Sequence, residues 1–380
     1  MSDMHLMIPG PVEASDEVLT AMGAQTIPHY GPQFLALFHD TIEKLQRLFE
    51  TQGEVIMVPG PGSAALDAAV GSMVPQGHSV ALLNNGFFST RLGQMAEGYG
   101  IRVWTLHAEW GSHVDPDDLR TFLARSIPEA ERAGQPIRAL LLCHHETSTG
   151  VLNPLQAIAA TAAEFDLPVI VDAVASWGGV RIPVDEWGLD VVVSVPNKCL
   201  AAPPGIAVAS VSKRAWEMAA ANPSRHGWYL DLRTWRYYID EWAWHPYPTT
   251  MPTNNIAALN RALVEVFAMG VDAFRQSFAD AAARTRAGMA ELGFALFPRP
   301  EYAAPQVTAL RGQPGVELDD MLKYLREQHN MMLGGGIAEL HGKIFRVGHM
   351  GKAKDPQVVD ALLAATAQYL REKAFTASAD

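Results

Sequence analysis

Seven short apolar runs, separated for the most part by helix-length stretches, constrain this chain more than any other feature. They lie at residues 54–58, 79–83, 102–106, 137–143, 168–172, 190–194 and 206–210. Each is long enough for one strand, and near-continuous hydrophobicity along a strand requires cover on both faces. Segments 64–73, 88–99 and 154–165 are long enough to be the covering helices. The alternation predicts an α/β architecture on a large, mainly parallel, seven-stranded sheet. Between 194 and 206 the chain is too short for a helical crossover, so the seventh strand is expected to run antiparallel.

From about Ala257 the texture changes to long amphipathic stretches at 256–269 and 271–292. Strand-length runs at 307–310 and 343–348 follow, with helices expected at 317–330 and 358–372. At 380 residues the chain is too long for a single core to be the expected solution. The division read from the sequence is an N-terminal segment 1–20, a large domain 21–256 and a smaller C-terminal α/β domain 257–380.

Composition narrows the function. Apolar residues at 48% and charged residues at 18% describe a globular rather than a disordered chain. Twenty-nine basic against forty-one acidic residues give a net charge of -12, which repels nucleic acid and anionic membrane surfaces, so neither is an expected partner. Two cysteines, Cys143 and Cys199, with no CxxC pair, make neither a disulfide scaffold nor a zinc site. With no signal-peptide pattern and no apolar window of about eighteen residues, the expected compartment is the cytoplasm. His144-His145-Glu146 invites a metal reading, but Thr149 stands where a zinc-protease helix needs its second histidine, and no metal is expected.

In open α/β sheets ligands bind beyond the carboxyl ends of the strands. Asp172 ends the run Val169-Ile170-Val171, where burying a carboxylate is costly without a cation. The run ending at Ser194 delivers Asn197 and Lys198 toward the same edge. By composition alone Lys198 is either a catalytic amine or one more solvated lysine. Pro59-Gly60-Pro61-Gly62-Ser63 joins a strand to a helix, so it is either a phosphate seat or a plain turn capped by Ser63. Arg346, in an apolar strand, needs an anion, which is a substrate carboxylate or a structural ion-pair partner. Eight aromatics between Trp228 and Tyr247 fit a packed interior or a subunit interface better than a ligand cage.

A lysine able to form an imine, a carboxylate for a pyridinium proton and an anion seat are together the requirements of pyridoxal 5'-phosphate. The sequence also resembles the class V branch of the fold-type I pyridoxal-phosphate aminotransferases, and within it the alanine-glyoxylate and serine-glyoxylate enzymes. The resemblance spans nearly the whole chain. It is carried by Pro9-Gly10-Pro11, Gly60-Pro61-Gly62-Ser63, Glu146-Thr147-Ser148-Thr149-Gly150, Val171-Asp172-Ala173-Val174, Asn197-Lys198-Cys199-Leu200, Ala202-Pro203-Pro204-Gly205 and Arg346-Val347-Gly348.

The resemblance implies that Lys198 is the Schiff-base lysine, that Asp172 pairs with the pyridinium and that Val174 packs under the ring. It places Phe88 on the pyridine face, Ser148 by the ring hydroxyl, and Gly62, Ser63 and Asn197 at the phosphate. Tyr247 and Thr250 match a Tyr-x-x-Thr that reaches the phosphate of a neighbouring subunit, so a homodimer with shared active sites is implied. Arg346 would clamp a substrate carboxylate, and Tyr30 would border the substrate. The implied reaction moves an amino group from a small amino acid, alanine or serine, to a small 2-oxo acid, glyoxylate or pyruvate, by a ping-pong mechanism.

His144-His145 and Gly348-His349-Met350-Gly351 are similar to pyridoxamine-pyruvate aminotransferase, and Leu230-Asp231-Leu232 to aminoethylphosphonate-pyruvate aminotransferases. From another class, pyridoxal-phosphate lyases and cysteine desulfurases share fold and cofactor. They need a nucleophilic cysteine on a mobile loop, a place that neither Cys143 nor Cys199 fits.

Overall fold

Every one of the seven apolar runs becomes a strand of one sheet in the computed structural model, which describes residues 4–377. The strands are β1 (Glu54–Pro59), β2 (Ser79–Asn84), β3 (Arg102–His107), β4 (Ile137–Cys143), β5 (Val169–Asp172), β6 (Val191–Ser194) and β7 (Ile206–Val211). Their order across the sheet is β1-β7-β6-β5-β4-β2-β3. Strands β2 to β6 pair in parallel, and β7 runs antiparallel to both its neighbours, β1 and β6. Eleven residues separate β6 from β7, positions 195 to 205, too few for a helical return to the starting edge. Central strands such as β5 and β6 are buried along their whole length, which explains their unbroken aliphatic sequence.

A second sheet holds four strands in the order His5–Met7, Met331–Gly335, Ile344–Gly348, Val307–Arg311. His5–Met7 runs parallel to Met331–Gly335, and the other pairings are antiparallel. It has an apolar cluster of its own, which includes Met7, Phe294, Leu325, Phe345 and Tyr369. Two of these strands escape the sequence reading. His5–Met7 is too short to show a pattern, and Met331–Gly335 ends in glycines that carry no apolar signal. Residues 1–3 and 378–380, the outermost parts of the segments 1–20 and 257–380, lie outside the described residues. No helix among the described residues is long and apolar enough to cross a membrane.

Candidate active site

The carboxyl ends of β1, β4, β5 and β6 open on a cavity of about 600 Å³, a volume suited to a cofactor. Asp172 stands at the tip of β5 and is 5% exposed. Its Oδ1 accepts a hydrogen bond from the Val174 N–H at 3.0 Å. Burial pushes its carboxyl up to about 6, so the ionised form calls for a cation in the cavity. Lys198 lines the same cavity from the loop after β6, and its Nζ donates to the Pro9 carbonyl at 2.6 Å. Burial pulls its ammonium down to about 8, which brings the neutral amine within reach of physiological pH. A Cβ at Gly10, whose φ is +116°, would come within 2.5 Å of the Lys198 Nζ, so only glycine leaves the lysine its place.

On the same cavity, helix Gly62–Met73 starts after Pro61 with no side-chain cap. Ser63 lies inside the first turn and caps nothing. The Gly62 and Ser63 N–H groups therefore have no intrahelical acceptor, which is what an anion seat requires. Gly62 also packs against the cavity wall, where a Cβ would meet Val174 Cγ2 at 2.7 Å. Phe88 lines the cavity from helix Phe87–Gly98, with Val174 and Asn197 also on its walls.

Arg346, in strand Ile344–Gly348, is 8% exposed. Its Nε and Nη2 donate to the Gly335 carbonyl at 3.0 and 2.8 Å, and its Nη1 donates to the Thr147 carbonyl at 3.0 Å. No ion pair holds it among the described residues, so the structural-pair alternative is not realised. Three of its five N–H groups are used, leaving one on each terminal nitrogen, the pair a carboxylate takes. Burial brings its pKa down to about 10, still charged at neutral pH.

Arg346 reaches the cavity wall only through the Thr147 carbonyl, and four other residues singled out from the sequence also stand apart from it. Ser148 is fully buried behind it, and its hydroxyl bonds to Glu146. Tyr247 is buried among Phe34, Phe38 and His245, with its hydroxyl donating to the His29 carbonyl. Thr250 is exposed on the surface, and Tyr30 is 55% exposed.

Conversely, Arg91, which was not singled out, and His145, named only in a metal reading and a family similarity, line the cavity. Arg91 sits three residues after Phe88 on the same helix face, with its guanidinium carbon 4.7 Å from the Phe88 ring centre. That spacing was readable in advance. The His145 Nδ1 lies 3.1 Å from the Ala175 carbonyl, which can only accept, so the proton is on Nδ1 and Nε2 offers a lone pair. That Nε2 is buried and unpartnered, and burial pulls the imidazole down to about 4.

The class-V aminotransferase family model matches residues 12–346. This chain belongs to the class-V aminotransferases. The family depends on pyridoxal 5'-phosphate. This aminotransferase is 35% identical to an uncharacterised aminotransferase of Methanocaldococcus jannaschii, across 97% of this chain and 93% of that one. It is 30% identical to the pyridoxamine–pyruvate transaminase of Mesorhizobium japonicum, across 94% and 88%. The solved alanine–glyoxylate aminotransferase of Nostoc sp. superposes with a TM-score of 0.91 at 33% identity, covering 97% of this chain and 96% of that one. The fold is therefore that of the fold-type I aminotransferases.

The cavity's side chains fit the family's cofactor on their own chemistry. A buried carboxylate has cations nearby but none in ion-pair contact among the described residues, an amine is depressed toward neutrality, a helix start is uncapped, and an acceptor nitrogen has no partner.

Proposed function

We propose that this enzyme binds pyridoxal 5'-phosphate at Lys198 and moves an amino group from a small amino acid, alanine or serine, to glyoxylate or pyruvate in two alternating half-reactions. The observation that carries this reading is that Lys198, Asp172 and the uncapped start of helix Gly62–Met73 line one cavity. The cofactor supplies an aldehyde that takes up the amino group and a ring that draws electrons from the α-carbon.

The chain's own residues do the rest. Asp172 holds a proton on the ring nitrogen, and that cation in turn keeps the buried carboxylate ionised. Lys198 Nζ would take the proton from the substrate α-carbon and hand it on to the former aldehyde carbon, a task suited to an amine near neutrality. Arg346 orients the substrate through its two free N–H groups. Gly62 and Ser63, with Asn197 beside them, hold the phosphate, and Phe88 and Val174 cover the ring. Ser148 serves the ring hydroxyl, and Tyr30 borders the substrate.

Tyr247 and Thr250 are proposed to complete the phosphate site of a second copy in a homodimer. The exposed Trp228, Tyr237 and Trp244, each more than half exposed, form part of its interface. The boundary between domains 21–256 and 257–380 belongs to this proposal as well.

A second reading takes free pyridoxamine as the donor, and the Mesorhizobium relative of that name favours it. The N–H seat at Gly62 and Ser63 favours a bound phosphate instead. The lyase reading finds no reactive thiol, because Cys143 and Cys199 are buried and burial pushes both up, Cys199 to about 12.

The test is borohydride reduction of the chain reconstituted with pyridoxal 5'-phosphate, followed by peptide mapping. The label is expected on Lys198, and a label elsewhere, or none, ends the proposal. Titrating the holoenzyme with alanine, serine, aminoethylphosphonate and pyridoxamine, then with glyoxylate and pyruvate, identifies the pair.

A further inference from the structure

We propose that Glu146 is the positioning residue of this site, its carboxylate fixing the backbone under Phe88 and the hydroxyl of Ser148 in one frame. The inference rests on the reading of Phe88 and Ser148 as cofactor contacts. Glu146 is fully buried on the short strand His145–Glu146, and no ion pair holds it among the described residues. Instead five donors converge on it. Its Oε2 accepts from the Ser89 N–H at 2.8 Å and from the Ser89 hydroxyl at 3.1 Å. Its Oε1 accepts from the Phe88 N–H at 3.3 Å, from the Ser148 N–H at 3.1 Å and from the Ser148 hydroxyl. The Ser148 hydroxyl in turn accepts from the Phe87 N–H at 3.0 Å.

These donors include the first N–H groups of helix Phe87–Gly98, which Gly86 cannot cap. A carboxylate from elsewhere in the chain fills that role, and the helix start stabilises its charge. Gly86 is part of the device, since a Cβ there would come within 2.4 Å of Glu146 Cγ and 2.6 Å of Ser148 Oγ.

Only an acceptor with two oxygens can serve here, because a glutamine would turn an NH2 toward groups that are themselves donors. The adjoining Thr147 carbonyl receives Arg346, so one buried turn touches the aromatic wall, the hydroxyl and the substrate clamp. The Glu146 side chain itself meets the first two, and its neighbour's carbonyl meets the third.

The test uses the full-length chain loaded with pyridoxal 5'-phosphate, comparing wild type with Glu146→Gln and Ser89→Ala. The readouts are the induced circular dichroism of the cofactor band, cofactor affinity, and kcat against KM, with the urea midpoint as control. Glu146→Gln is expected to weaken cofactor binding about ten-fold to a hundred-fold and to change the induced dichroism. Ser89→Ala, which removes one of the five donors, should move the same signals in the same direction by about two- to five-fold.

Borohydride labelling of wild type at Lys198 is established first, and its absence overturns the parent reading and this one with it. Given that label, a folded Glu146→Gln chain with unchanged dichroism and affinity overturns this inference alone, whatever its urea midpoint. If Glu146→Gln does not fold, unchanged dichroism and affinity in Ser89→Ala overturn it.

Discussion

Two buried cations come to this site from different parts of the molecule, and they are held in opposite ways. Lys198, on the large sheet's carboxyl edge, has one hydrogen bond, to the Pro9 carbonyl, and burial brings it down to about 8. Arg346, in the four-stranded sheet, makes three hydrogen bonds to backbone carbonyls and remains protonated with a pKa of about 10. The difference follows from side-chain chemistry. An ammonium gives up its proton when desolvated, whereas a guanidinium spreads its charge and keeps it. One position is thereby suited to proton transfer and the other to holding an anion.

Lys198→Ala is the strongest attempt to break this contrast. Turnover should fall at least about 10³-fold with the far-ultraviolet dichroism unchanged, and near-normal transamination would end the assignment. Arg346→Ala should instead raise KM for carboxylate substrates by about 10²-fold with a smaller change in kcat. Arg346→Lys should recover little of that loss, and full recovery would show that the fork geometry is irrelevant.

Gly62→Ala tests the helix start that lines the same cavity. Its methyl would stand 2.7 Å from Val174 Cγ2, and cofactor affinity should drop about ten-fold in equilibrium titration. The mildest probe is pH. Since burial lowers the Lys198 pKa to about 8, the neutral amine gains population as pH rises through that value. The second-order rate of cofactor capture by the ligand-free chain should rise about five-fold between pH 7 and pH 8, then level off. A flat rate across that interval would remove the lysine from the role.

The large sheet was legible because its strands are covered on both faces, and covered strands such as β5 and β6 have little choice but to be aliphatic. The antiparallel β7 was legible too, from the length of a connection. His5–Met7 was not, because three residues carry no period, and its partner Met331–Gly335 is supplied from more than three hundred residues away. Within the site, Asp172 and Lys198 stood out because a charge at the end of an apolar run needs explaining.

In the sequence Glu146 figures only within a dismissed metal run and a family motif, with no role of its own. Among His144, His145 and Thr147 it reads as one polar residue in a polar turn, and its meaning lies in donors from residues 88 and 89. The same holds for Pro9, whose carbonyl meets Lys198 across 189 positions.

The sequence by itself determined the elements, the sheet they form and the charged groups that chain ends of strands would present, because local patterning and burial cost act on neighbours along the chain. Only the tertiary structure decided which groups satisfy one another: that Arg346 is held by carbonyls and not by an acid, that Ser63 leaves its helix uncapped, and that five donors share one carboxylate. Hydrogen bonds and desolvation act across space, and no linear pattern records the partner.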